Sequence, residues 1–99
     1  MTTQKERELM AEIIDLAIEV NKAGKVCAHV EFGPDSLAMR IHPDTISEAE
    51  EWEWIYYPDR PAYFESEHFD AGYFEAQAAE FITELKKHHP QYDADGVKL

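Results

Sequence analysis

A two-layer α+β domain is predicted for this 99-residue chain, with an N-terminal and a C-terminal helix packed on one face of an antiparallel sheet of three to four strands. Three observations predict it. A helical apolar stripe opens the chain, a second closes it, and the residues between alternate apolar with polar as strands do. The order reads α-β-β-β-α. At this length one core is expected, over residues 1–90, with 91–99 as a loose tail.

Thr3 and Glu6 have the spacing of a capping box, in which each residue satisfies an amide of the other at a helix start. Leu9, Ile13, Leu16 and Val20 then recur at helical spacing, flanked by Met10, Ile14 and Ala17. Lys22 complements the negative end of a helix and Gly24 accepts a left-handed cap, so the stop is expected near Ala23.

Val26, Ala28, Val30 and Phe32 alternate with Cys27, His29 and Glu31; beyond Gly33-Pro34-Asp35-Ser36, Leu37, Met39 and Ile41 alternate with Ala38, Arg40 and His42. If that turn closes a hairpin, Phe32 meets Leu37, Val30 meets Met39 and Ala28 meets Ile41, which puts both apolar sets on one side. Residues 51–57 are expected as a third strand, with Trp52, Trp54 and Tyr56 toward the core and Glu51, Glu53, Ile55 and Tyr57 on the other face. Pro58-Asp59-Arg60-Pro61 is a turn or rigid connector, and Ala62 to Glu65 either adds a short fourth strand or leads into the next helix. Phe74, Ala78, Phe81 and Leu85, widened by Ala71 and Ile82, form the closing helical stripe within about residues 70–89.

A net charge of -12 would suit a disordered acidic tail, but 44% hydrophobic and 12% aromatic residues predict folding. The charge is uneven. Residues 44–84 hold twelve acids against the single base Arg60, whereas residues 1–43 hold seven acids and five bases. Such a surface repels nucleic acid and anionic membranes and favours basic protein partners or simple solubility. The charged start and the lack of any apolar run near the ~18 residues of a membrane span predict a cytoplasmic protein. Cys27 is the only cysteine, which excludes an intrachain disulfide and a four-thiolate zinc site.

Four constellations could carry chemistry. On the hairpin face away from the core, Cys27 would lie across from His42 and His29 across from Arg40, so Cys27, His29 and His42 could ligate zinc with an open fourth position. Arg40 opposes this by placing a positive charge beside the metal, and solvated sheet faces often carry His and Arg. The same cysteine could be a nucleophile with His29 or His42 as base, although a lone strand Cys is more often a small inert side chain. The pairs Glu51/Glu53 and Glu65/Glu67 could support acid–base work, yet with 21 acids in the chain such pairs arise by chance. The fourth is the acidic, aromatic stretch from Glu50 to Asp59, in which rings supply contact area and carboxylates steer a basic partner.

That stretch is the favoured surface, with Glu48, Glu50, Glu51, Glu53, Ile55 and Tyr57 as its protein-binding residues. No enzyme signature and no cofactor motif is present, so the leading expectation is a non-enzymatic binding module. Its expected partner is another protein, a basic nucleic-acid-binding one in the sharpest form. Direct binding of nucleic acid or membrane is not expected. A small metal or thiol protein using Cys27, His29 and His42, and a homodimerising structural protein, are the alternatives. In size, element order and the acidic run from Glu48 to Glu84, the chain resembles at class level the small acidic accessory proteins of bacteriophages and prophages. The resemblance implies binding to host proteins, in some cases by mimicking the charge of DNA, and carries over no individual residue.

Overall fold

The computed structural model describes residues 3–43, 54–64, 72–93 and 95–99. Two helices lie on one face of a three-stranded antiparallel sheet of order β1-β2-β3. Helix α1, Gln4–Ala23, packs over β1, Cys27–Phe32, while α2, Tyr73–Lys86, packs over β3, Ala62–Tyr63, and against α1. β2, Ser36–His42, runs down the middle.

The first half follows the sequence closely. Glu6 N–H donates to Thr3 Oγ1 at 3.1 Å and Thr3 N–H donates to Glu6 Oε1 at 2.7 Å, closing the capping box. The helix ends at Ala23 because Gly24 turns left-handed, with φ of 77°. The hairpin has the expected register, from Cys27 opposite His42 to Phe32 opposite Leu37. Gly33 N–H donates to Ser36 O at 2.8 Å, so Gly33 and Ser36 form a hydrogen-bonded pair and the ladder alternates from there. That alternation points the backbone groups of Glu31, His29 and Cys27 at β2 and turns those of Ala28, Val30 and Phe32 outward.

The core joins Ile13, Leu16 and Val20 of α1, Leu37, Met39 and Ile41 of β2, and Phe74, Phe81 and Leu85 of α2. Phe32 departs from the expectation. It shares the core-facing side with Leu37 yet remains 53% exposed, because it stands at the turn end of an outer strand.

The second half differs more. A third strand over residues 51–57 reduces, in its described part, to one bridge between Tyr56 and Ile41; residues 51–53 lie outside the described residues. The third strand of the sheet is the short segment expected as a fourth, Ala62–Tyr63, paired with Leu37 and Ser36. Pro58 and Pro61 lack the amide hydrogens a continuous ladder needs, so the chain touches β2 at Ile41, leaves it, and returns at Leu37. In α2 the stripe is buried as expected, from Phe74 to Leu85, behind a left-handed Gly72 with φ of 84°.

Residues 91–99, expected as a loose tail, fold back in their described part. Tyr92 bridges Lys98, and Leu99 N–H donates to Gln91 O at 2.9 Å. The Asp93 carboxylate accepts from the amides of Asp95 and Val97, both at 2.9 Å, the self-bonding turn that Asp favours. Tyr92 packs against the core and the His89 ring. Among the described residues no helix is long and apolar enough to cross a membrane.

Candidate functional site

The polar face of the hairpin, away from the helices, presents Cys27, His29 and Glu31 from β1 and Ala38, Arg40 and His42 from β2. It is not the solvated surface such residues usually make. His42 is only 4% exposed, because the Trp54 ring covers it at a centroid distance of 3.4 Å. The Arg40 guanidinium lies 5.3 Å from the Trp54 ring and 6.0 Å from the Tyr57 ring, while its Nη2 meets Glu31 Oε2 at 3.3 Å. Tyr57 packs edge-on against Trp54 at 5.0 Å. A cation held between aromatic rings and a carboxylate forms a stiff base for whatever sits above it.

The placement of Trp54 corrects the alternation reading, which put it in the core. Regular alternation needs a regular ladder, and here only Tyr56 bridges β2. Tyr56 turns to the core, edge-on to Phe81 at 6.3 Å, and Trp54 swings to the opposite face. Burial first, then the Glu80 and Glu84 charges, pushes the Tyr56 phenol well above its usual range.

Ile55 and Tyr57 of the predicted binding set are 46% and 47% exposed, whereas Glu48, Glu50, Glu51 and Glu53 lie outside the described residues, as do Glu65 and Glu67. Between the hairpin and the proline connector runs a groove of about 450 Å³, lined by Glu31, Arg40, Tyr57, Asp59 and Arg60 among others. It mixes both signs of charge with the rings of Tyr57 and Phe32.

The metal and thiol alternatives gain nothing from this geometry. His29 and His42 stack at 6.3 Å, but among the described residues no three His, Cys, Asp or Glu side chains gather as metal ligands would. Neither ring nitrogen of His42 has a hydrogen-bond partner among the described residues, so His42 is not engaged as a base for the Cys27 thiol. Arg40 Nε and Trp54 Nε1 are likewise buried without partners there.

Burial, followed by the positive charges of His29 and Arg40, holds the His42 imidazole below its ordinary value of 6.5. The unfolded chain therefore takes up a proton here before the folded one does, and stability falls as pH drops below about 6.5. His88, lowered chiefly by burial, acts in the same direction. We expect a lower melting temperature at pH 5.5 than at pH 7, and a smaller drop in His42→Gln. An equal drop in the two proteins would remove His42 from the account.

Sequence reasoning missed two contacts. One is the Trp54 cover over Arg40 and His42, for which an Arg and a His on the polar strand face were the available signal. The other is at Asn21, in the last turn of α1, whose side-chain amide donates to Ala28 O at 3.0 Å and accepts from Ala28 N–H at 2.6 Å. Comparison of the chain with protein-family models, with curated proteins and with solved structures finds no match.

Proposed function

We infer that this chain is a small, acidic, non-enzymatic protein-binding module of the cytoplasm, comparable in type to phage accessory proteins, that engages a basic partner of the nucleic-acid-binding kind. The carrying observation is the pair of half-exposed side chains Ile55 and Tyr57, directly after the acid run, with Tyr57 mounted against the Arg40–Trp54–His42 stack. An aromatic ring already fixed by its neighbours loses little side-chain freedom on binding. The net charge of -11 over residues 44–84 raises the rate of encounter with a cationic surface.

The experiment is capture from bacterial lysate at low and moderate salt by three proteins. They are the wild type, a Glu48→Gln/Glu50→Gln/Glu51→Gln/Glu53→Gln variant, and an Ile55→Ser/Tyr57→Ser variant. A basic protein held by the wild type and lost by both variants is the expected result, with the quadruple variant losing most at low salt. If every protein retained by the wild type is retained equally by both variants, the reading is wrong.

A further inference from the structure

The edge of the sheet opposite the acidic segment carries a separate surface. β1 is the outer strand, and its outward backbone groups belong to Ala28, Val30 and Phe32. The Asn21 amide closes both groups of Ala28, which leaves those of Val30 and Phe32 open among the described residues. Beside them runs a groove of about 410 Å³ between α1 and β1, lined by Ile14, Ala17, Ile18, Val30 and Phe32 among others. Ile14, Ile18 and Phe32 are 37%, 49% and 53% exposed and converge on this one edge. Ile14 and Ile18 stand one helical turn apart, so they face the same way.

The geometry points to a second copy of this chain as the occupant, joined β1 to β1 in a two-fold antiparallel pair centred on Glu31. Three features of the edge select that occupant. First, the two open residues are spaced so that Val30 of one copy pairs with Phe32 of the other, and the reverse, which satisfies every open group and leaves both Asn21 clamps in place. Second, a two-fold axis normal to the sheet keeps both helical layers on one side. Phe32 of each copy then enters the groove of the other beside Val30, and the Ile14/Ile18 faces of the two α1 helices meet. The uncovered ring and the unfilled groove are thus complementary.

Third, charge favours this edge over the other. Residues 1–43, which include β1, carry a net charge of only -2, whereas the described acids Asp59, Glu75, Glu80 and Glu84 belong to the connector before β3 and to α2, which packs over β3. Joining through β1 sends the two β3 strands, with the connectors and α2 helices that accompany them, to opposite ends of a six-stranded sheet. The two Glu31 side chains meet near the axis, each already balanced by its own Arg40 at 3.3 Å. None of this surface's residues belongs to the partner-binding set, although Glu31 and Phe32 also line the groove beside Tyr57.

Sedimentation equilibrium at about 100 μM, a concentration that populates mostly dimer even for a Kd of ~10 μM, tests it. The wild type is expected at twice its 11.5 kDa mass, and Ile18→Glu/Phe32→Glu, both at exposed positions, at the single mass with far-ultraviolet circular dichroism and a cooperative melt that show it folded. Glu31→Cys in a Cys27→Ser background reads the register. Residues facing each other in a non-hydrogen-bonded pair sit ~4.5 Å apart at Cα, within disulfide range, so mild oxidation should link two chains. A monomeric wild type, a dimer that survives Ile18→Glu/Phe32→Glu, or a dimer that Glu31→Cys fails to link overturns the proposal. So does a monomer that takes up a strand of another protein at this edge.

Discussion

Phe81→Ala is expected to destabilise the protein by about 3–5 kcal/mol, the range for emptying a buried aromatic site. Phe81 is fully buried at the junction of α2 with the sheet, so its loss removes apolar contact area and leaves a cavity. Domains of this size are stable by about 5–15 kcal/mol, and the variant should lose about a fifth or more of that. Urea titration checks it: the midpoint should fall with little change in slope. The damage should also reach the opposite face. Tyr56 leans on Phe81, Tyr56 bridges Ile41, and Trp54 covers His42 two residues earlier. Near-ultraviolet circular dichroism should therefore lose aromatic signal before global unfolding. A cost below about 1 kcal/mol would mean that the neighbouring side chains close the site, against the dense packing typical of such interiors.

Asn21→Ala carries the second large expected effect, about 1–3 kcal/mol, because it strands a donor and an acceptor of Ala28 together. The cost exceeds that of an ordinary exposed helix position, where Ala is the better helix former and substitution would be neutral or favourable. Amide hydrogen exchange at Ala28 gives the specific readout, since its N–H donates to the Asn21 side chain at 2.6 Å. Faster exchange at Ala28 than at its hairpin neighbours is expected. Asn21→Asp should rescue only part, since a carboxylate still accepts from the amide but cannot donate to the carbonyl and sits unfavourably at a helix C-terminus. Unchanged exchange in Asn21→Ala would show that the clamp contributes nothing.

The first half of the fold was legible because each element there is specified twice. The α1 stripe is bounded by a capping box and a left-handed glycine, and the hairpin alternation is locked by a four-residue turn that leaves one register burying both apolar sets. Such agreement between local and long-range signals is what makes a pattern readable. Around Trp54 to Tyr57 it fails. Aromatic side chains stand on both faces, so alternation no longer separates inside from outside, and the pairing there is a single bridge. Ala62–Tyr63 is too short to show any period. The turn at Asp93 and the clamp at Asn21 rest on side-chain-to-backbone hydrogen bonds, which no hydrophobic pattern records. Of the candidate site, exposure at Ile55 and Tyr57 was readable, whereas the stack beneath Tyr57 depends on a tertiary approach between distant residues.

The proline connector has a consequence for stoichiometry. A sheet that grows by repeated addition requires two adhesive borders on every unit, one to receive and one to offer. Here the border beyond β2 is occupied by Tyr56 and by the two-residue β3, with Pro58 and Pro61 between them contributing no amide hydrogens. Very short outer strands and prolines are the means by which natural sheets refuse further strands. Among the described residues only the β1 border remains adhesive, and a like-to-like union there consumes it on both units at once. Association through the backbone of this sheet is therefore self-terminating, and the chain can join a neighbour without acquiring the capacity to polymerise.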